Sequence, residues 1–270
     1  MSNALRVTLG QASLVGAHDT NQDFHGALLP KGHQLASKGI ALAIADGISS
    51  SAVSQVASQT AVRSFLEDYY ATSEAWSVRR ASERVLSATN AWLHSQTMSG
   101  DARFEKDRGY VCTFSALILK GRDLHLLHVG DSRIYRLHPQ ALEQITEDHR
   151  VRLSPSESYL GRALGTGPHV EIDYLNWEAE VGETYLLATD GAYDWLSAED
   201  VHRALLPDSR NLDGVAAHLV SLARSRGSDD DATLQLLRID ALPAGDAPHP
   251  QLRREGLALP PPLAPRMDFE

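Results

Sequence analysis

Five aspartates of this chain share one local setting, a strand candidate meeting a short turn of Asp and Gly residues. They are Asp23, Asp46 in Asp46-Gly47, Asp131 in Gly130-Asp131, Asp190 in Asp190-Gly191, and Asp230, which precedes a strand instead of following one. Asp194 comes four residues after Asp190 and falls on the same side if the intervening turn is helical. Carboxylates and glycine carbonyls at strand ends are the hard oxygen ligands that Mg²⁺ and Mn²⁺ take in octahedral geometry. Gathered together, so many carboxylates repel unless cations stand among them, so convergence of these turns means a divalent-metal centre. Taken singly, each Asp-Gly is an ordinary turn signal, and the repetition carries the metal reading.

The elements that must deliver these residues are readable from periodicity. Residues 6–13 alternate apolar and polar side chains as a half-buried strand does, and residues 24–29 read as its partner across the turn-rich stretch 16–23. Residues 39–45 form an apolar run that ends on Asp46-Gly47. Val53, Val56, Ala57, Ala61, Phe65 and Tyr69 mark one helix face, and Val78, Ala81, Val85, Ala88 and Trp92 mark another within residues 73–96. After a polar loop at 98–109, strands are expected at 110–119, 123–129 and 133–137, and again at 170–177, 183–188 and 234–239. Residues 146–168 read as irregular, and Ser197 and Asn211 as caps of two short helices. From residue 241 the texture turns proline-rich, so the expected division is a folded domain over 1–240 and a tail or linker over 241–270.

The succession Asn21-Gln-Asp23, Asp46-Gly47, Gly130-Asp-Ser-Arg-Ile-Tyr-Arg136, Thr146-Glu-Asp-His149, Arg162-Ala-Leu-Gly165, Asp190-Gly191 and Asp230-Asp-Ala-Thr233 resembles the motif series of the metal-dependent PPM family of serine/threonine phosphatases, the protein phosphatase 2C type. It spans roughly residues 5–240 in the family's order. The resemblance implies an α+β fold, a four-layer α-β-β-α sandwich of two packed antiparallel sheets flanked by antiparallel helices. It implies two or three Mn²⁺ or Mg²⁺ ions in a cleft at one edge of the sheets. The aspartate matching Asp46 bridges two metals, Gly47 adds its carbonyl, and Asp190 and Asp230 complete the first metal's protein ligands. Asp131, Asp190 and Asp194 match the holders of an additional ion. The implied reaction is in-line attack of a metal-bridging water, oriented by Asp23, on a phosphoserine or phosphothreonine phosphorus.

Some positions depart from the family pattern. His18 stands where an arginine usually binds substrate phosphate, Gln22 replaces a glutamate, Ser49 and Ser50 replace glycines, and Asp231 replaces an asparagine. Every core metal aspartate is nevertheless present. A metal-dead, phosphoprotein-binding module of the same fold, the alternative reading, predicts the loss of Asp46, Asp190 or Asp230.

Composition bounds the other classes. The 270 residues are 43% hydrophobic with a net charge of −10, which argues against nucleic acid or anionic membrane as partner. The partners that the resemblance implies are proteins phosphorylated on serine or threonine, with a cognate kinase or a kinase domain in the same chain. A nucleotide hydrolase lacks its Gly-x-x-x-x-Gly-Lys loop here, and the single cysteine, Cys112, sits in an apolar strand candidate, as a core residue does. With one cysteine and no signal-like or membrane-spanning run, the expected location is cytoplasmic.

Overall fold

The computed structural model describes residues 5–100, 105, 108–139, 141–154, 157–205 and 210–244. One five-stranded antiparallel sheet runs in the order β1 (Arg6–Leu14), β12 (Ala232–Ala241), β11 (Thr184–Ala188), β6 (Arg133–His138), β7 (Ala141–Gln144). The other runs β10 (Asp173–Glu178), β5 (Asp123–Val129), β4 (Phe114–Lys120), β3 (Ile40–Asp46), β2 (Asp23–Leu28). Side-chain alternation explains how they stack. On β3, Ile40, Leu42 and Ile44 face the other sheet and meet Tyr185, Leu187, Leu237 and Ile239. Ala41, Ala43 and Ala45 face the opposite way, beneath α2 (Ser54–Ala71) and α3 (Val78–Ser99). Small residues on that face let the helices lie close, and Phe65 of α2 meets Phe114 of β4 edge to face at 5.0 Å.

The first sheet buries its outer face in the same way. Leu186, Ala188, Leu234 and Leu236 pack against Leu212, Val215, Ala216 and Leu219 of α6 (Leu212–Ser225) and against α5 (Ala198–Ala204). The result is the expected α-β-β-α sandwich, with one apolar layer between the sheets and one under each helix layer. Both expected caps are present: Ser197 makes a reciprocal capping box with Asp200, and Asn211 accepts from the Gly214 N–H.

Several expectations need correction. β2 does not pair with β1; it joins β3 in the other sheet, while β1 pairs with β12. The turn-rich stretch 16–23 is therefore a crossing between sheets and not a hairpin, and local alternation carries no information on which sheet a strand joins. A short helix, α1 (Gly32–Lys38), stands where the sequence shows only a break. The region 146–168 contains a two-stranded ribbon, β8 (Arg150–Ser154) with β9 (Glu157–Leu160). On the helices, Val56, Ala88 and Trp92 are exposed, and Leu86, Thr89 and Leu93 line the buried face of α3 instead. Part of the 98–109 loop and the proline-rich segment from 245 lie outside the described residues. No helix among the described residues is long and apolar enough to cross a membrane.

Candidate metal centre

Asp46 continues the Ile40, Leu42, Ile44 alternation, so its carboxylate enters the inter-sheet layer at the point where the apolar packing ends. Asp23 is its direct partner across the β2–β3 ladder. Thr189, at the end of β11, projects from the opposite sheet and donates to Asp23 Oδ2 at 2.8 Å while accepting the Thr233 N–H at 3.0 Å. One oxygen of Asp23 is thus held and the other, Oδ1, is buried without a partner. The two Asp-Gly turns need glycine for lack of space. A Cβ on Gly47 would lie 2.7 Å from the Ser54 carbonyl oxygen, and one on Gly191 would lie 2.2 Å from that of Asp231.

The strand ends bring these carboxylates into one field. Burial, then Asp23, Asp190, Asp131 and Asp230, pushes the Asp46 carboxyl well above the usual carboxylate range. Asp23 is raised well above the usual range by burial, with Asp231 and Asp190 adding to it, against the hydrogen bond from Thr189. Asp190, at the start of the single-turn α4 (Asp190–Tyr193), is pushed up to about 6 by burial and by Asp131 and Asp230, and its Oδ1 is also buried without a partner. A cluster of buried carboxylates with unpartnered oxygens is the donor set a hard divalent cation takes, so the residues present fit such an ion. Asp46, the Gly47 carbonyl, Asp190 and Asp230 are the groups that could hold it.

Asp131 and Asp194 lie on the β6 side of the cluster. The Tyr193 hydroxyl donates to the Asp131 carbonyl at 3.0 Å, and the Tyr193 ring carries the Arg133 guanidinium 3.9 Å above its centre. Arg133 in turn binds Asp148 through both carboxylate oxygens. Arg150 reaches across, with Nε 2.5 Å from Asp131 Oδ2 and a terminal nitrogen 3.1 Å from Asp190 Oδ2. Beside this group opens a cavity of about 650 Å³ lined by Arg133, Asp148, Arg150, Tyr193 and Asp194 among others.

His18 is placed with its Nδ1 3.5 Å from Asp231 Oδ2 and 3.9 Å from Asp230 Oδ1, so it stands at the rim of the cluster. Asp231 accepts the backbone N–H groups of Gly16 and Gln22, each at 2.6 Å, and holds the crossing loop against β12. Gln22 ties the same loop to the start of α2, its side chain donating to the Ser51 carbonyl and its own carbonyl accepting from Gly47 and Ser58. His149 is structural: its ring accepts the Gly130 N–H at 3.0 Å and meets Asp173 at 2.9 Å. Burial pushes the Cys112 thiol up, which suits a packed core residue and not a nucleophile.

Of the sequence-derived residues, His18 stands beside Asp230, Asp131 is linked to Asp190 through Arg150, and Asp46 faces Asp23 across the β2–β3 ladder. Sequence reasoning missed Thr189 and Arg150. Thr189 carries a legible signal, because the β11 alternation puts residue 189 on the inter-sheet side. Arg150 carries none, since nothing near it in sequence distinguishes it from a surface arginine.

Known proteins resemble this chain in sequence and in fold. The family model described as Protein phosphatase 2C matches residues 12–222. The serine/threonine protein phosphatase PstP of Mycobacterium tuberculosis is 32% identical over 213 residues, covering 72% of this chain and 39% of PstP. This chain therefore spans well under half the length of that relative. The serine/threonine phosphatase stp of Listeria monocytogenes is 28% identical over 218 residues, covering 75% of this chain and 85% of stp. A crystal structure of the PstP catalytic domain with two manganese ions superposes with a TM-score of 0.70 at 27% identity, covering 88% of this chain and 100% of that one. Sequence match and shared architecture agree along most of the length, and this chain belongs to the protein phosphatase 2C family.

Proposed function

We propose that the chain is a metal-dependent serine/threonine protein phosphatase that hydrolyses phosphoserine and phosphothreonine in proteins. The observation that carries this reading is the convergence of Asp46, Asp190 and Asp230 from both sheets, with a buried, unpartnered oxygen on Asp190. The names of PstP and stp, and the two manganese ions of the PstP catalytic domain, support it.

Divalent cations bound in such a site would lower the pKa of a bound water and neutralise charge on the phosphoryl oxygens. Asp46, the Gly47 carbonyl, Asp190 and Asp230 are the groups that would hold them. Asp23, clamped through Oδ2 by Thr189, keeps Oδ1 free to orient the attacking water. His18 at the rim meets the substrate phosphate in place of an arginine, with one ring N–H to donate when neutral. Asp131, Asp190 and Asp194 would hold an additional ion.

The test is hydrolysis of an aryl phosphate and a phosphothreonine peptide with Mn²⁺, with chelator, and with Asp190→Asn. Turnover only with Mn²⁺ and only in the wild-type chain is expected. Chelator-insensitive turnover, or full activity of Asp190→Asn, overturns the mechanism. Phosphopeptide binding without turnover in Mn²⁺ assigns a binding module instead.

A further inference from the structure

Arg150 occupies the ground that an additional cation would need. Its guanidinium lies within hydrogen-bond distance of Asp131 Oδ2 and Asp190 Oδ2 together, and these are two of the three carboxylates assigned above to the additional ion. A Mg²⁺ or Mn²⁺ ion sits about 2.1 Å from its oxygen ligands. An ion seated between those two oxygens would stand where the guanidinium nitrogens now lie, 2.5 and 3.1 Å from them, and would be repelled by its charge.

The placement of Arg150 is built by the fold. Its backbone follows His149, whose N–H donates to the Gly130 carbonyl at 2.8 Å while its ring accepts the Gly130 N–H at 3.0 Å. Those two bonds bind the start of β8 to the residue preceding Asp131, so the Arg150 side chain has a short, directed reach to the carboxylate. Asp131 is almost wholly buried, with 6% of its side chain exposed, and Arg150 is the cation it meets among its ion pairs.

Resting on the metal reading above, we propose that Arg150 is a built-in cation at the Asp131–Asp190 pair that competes with the additional divalent ion. With Arg150 docked, Asp131 and Asp190 are partly neutralised and the ions between Asp46, Asp190 and Asp230 remain free to bind. Entry of the additional ion requires Arg150 to leave. Apparent affinity for that ion is then reduced by the fraction of time the position is open.

The experiment is calorimetric titration of the full chain with Mn²⁺, comparing wild type with Arg150→Ala, Arg150→Lys and Asp131→Asn. The expected result is two tight ions in every case, and a weaker ion whose affinity rises roughly tenfold or more in Arg150→Ala if the arginine is docked nine-tenths of the time. Arg150→Lys should fall between the two, and Asp131→Asn should lose the weak ion alone. A second readout needs no variant: the Arg150 Nε–H resonance should shift when Mg²⁺ fills the weak site. Equal weak-site affinity in wild type and Arg150→Ala, no weak ion in either, or an Arg150 resonance indifferent to saturating Mg²⁺ each overturn the competition while leaving the tight ions intact. Absence of the tight ions as well removes the underlying metal reading and the competition with it.

Discussion

Asp23 and Asp46 stand directly opposite each other on the last rung of the β2–β3 ladder, two like charges at the position where cross-strand pairs interact most strongly. Such a pair costs stability unless a cation lies between or beside it. The Asp46→Asn protein in chelator should therefore unfold at a higher temperature than wild type, by about 2–4 °C for each kcal/mol of repulsion relieved. It should also lose the Mn²⁺-induced rise in melting temperature that wild type shows. Thermal melts with and without Mn²⁺ check both halves, and a destabilised chelated variant contradicts the account.

Asp190 and Asp194 should behave differently although they are four residues apart. Asp190 is within the field of Asp131 and Asp230 and has an unpartnered buried oxygen, whereas Asp194 is raised mainly by burial and faces Arg133 and Arg150. Asp190→Asn should lower kcat by roughly 10²–10³-fold or more. Asp194→Asn should retain turnover but shift the Mn²⁺ concentration that supports it. Steady-state kinetics across a Mn²⁺ series separates the two, and equal loss in both variants shows the roles to be wrongly divided.

Asp231 is a structural departure with a reason. Its two oxygens accept the Gly16 and Gln22 N–H groups, and an asparagine offers one acceptor oxygen in place of two. Asp231→Asn should cost about 1–3 kcal/mol, because one buried backbone donor loses its partner. Urea denaturation is the measurement; an unchanged midpoint would mean that the loop finds another acceptor.

His128 predicts an acid-side loss of stability. Burial, and then neighbouring His149, lowers its pKa from 6.5 to about 4, and its ring lies between the Ser115 hydroxyl and the Glu147 carbonyl. The folded chain keeps this ring neutral where the unfolded chain protonates it. The stabilisation is complete above about pH 6.5 and is lost as pH falls towards 4, by roughly 3 kcal/mol in all. Subtracting the profile of His128→Gln from that of wild type isolates this term, and identical profiles would assign the slope elsewhere.

What could be read without a structure follows from the range of the interactions involved. Strand positions, the two long helices and the Ser197 and Asn211 caps are set by neighbours within a few residues, and periodicity reports them. The pairing of β1 with β12 joins chain ends over 200 residues apart, and no local pattern distinguishes it from the hairpin with β2 that proximity favours. The aspartates were legible as a set because their turns repeat one pattern. The alternation of β11 puts Thr189 on the inter-sheet side without naming its partner, and nothing local marks Arg150, since each matters through a residue far away in sequence: Asp23 for the first, Asp131 and Asp190 for the second. The ribbon formed by β8 and β9 was likewise hidden, because it forms a separate two-stranded sheet and shows no long alternation.

The alternation of β3 has a consequence for how the chain can change. Ile40, Leu42, Ile44 and Asp46 share one parity, and Ala41, Ala43 and Ala45 share the other. Inserting or deleting one residue within the strand would turn alanines towards the opposing sheet, force isoleucines under α2, and carry Asp46 out of the cleft in the same stroke. A length error here cannot produce a well-folded but inert protein, nor an active but loosely packed one. Correct packing of β3 and correct placement of Asp46 are therefore checked by the same folding event.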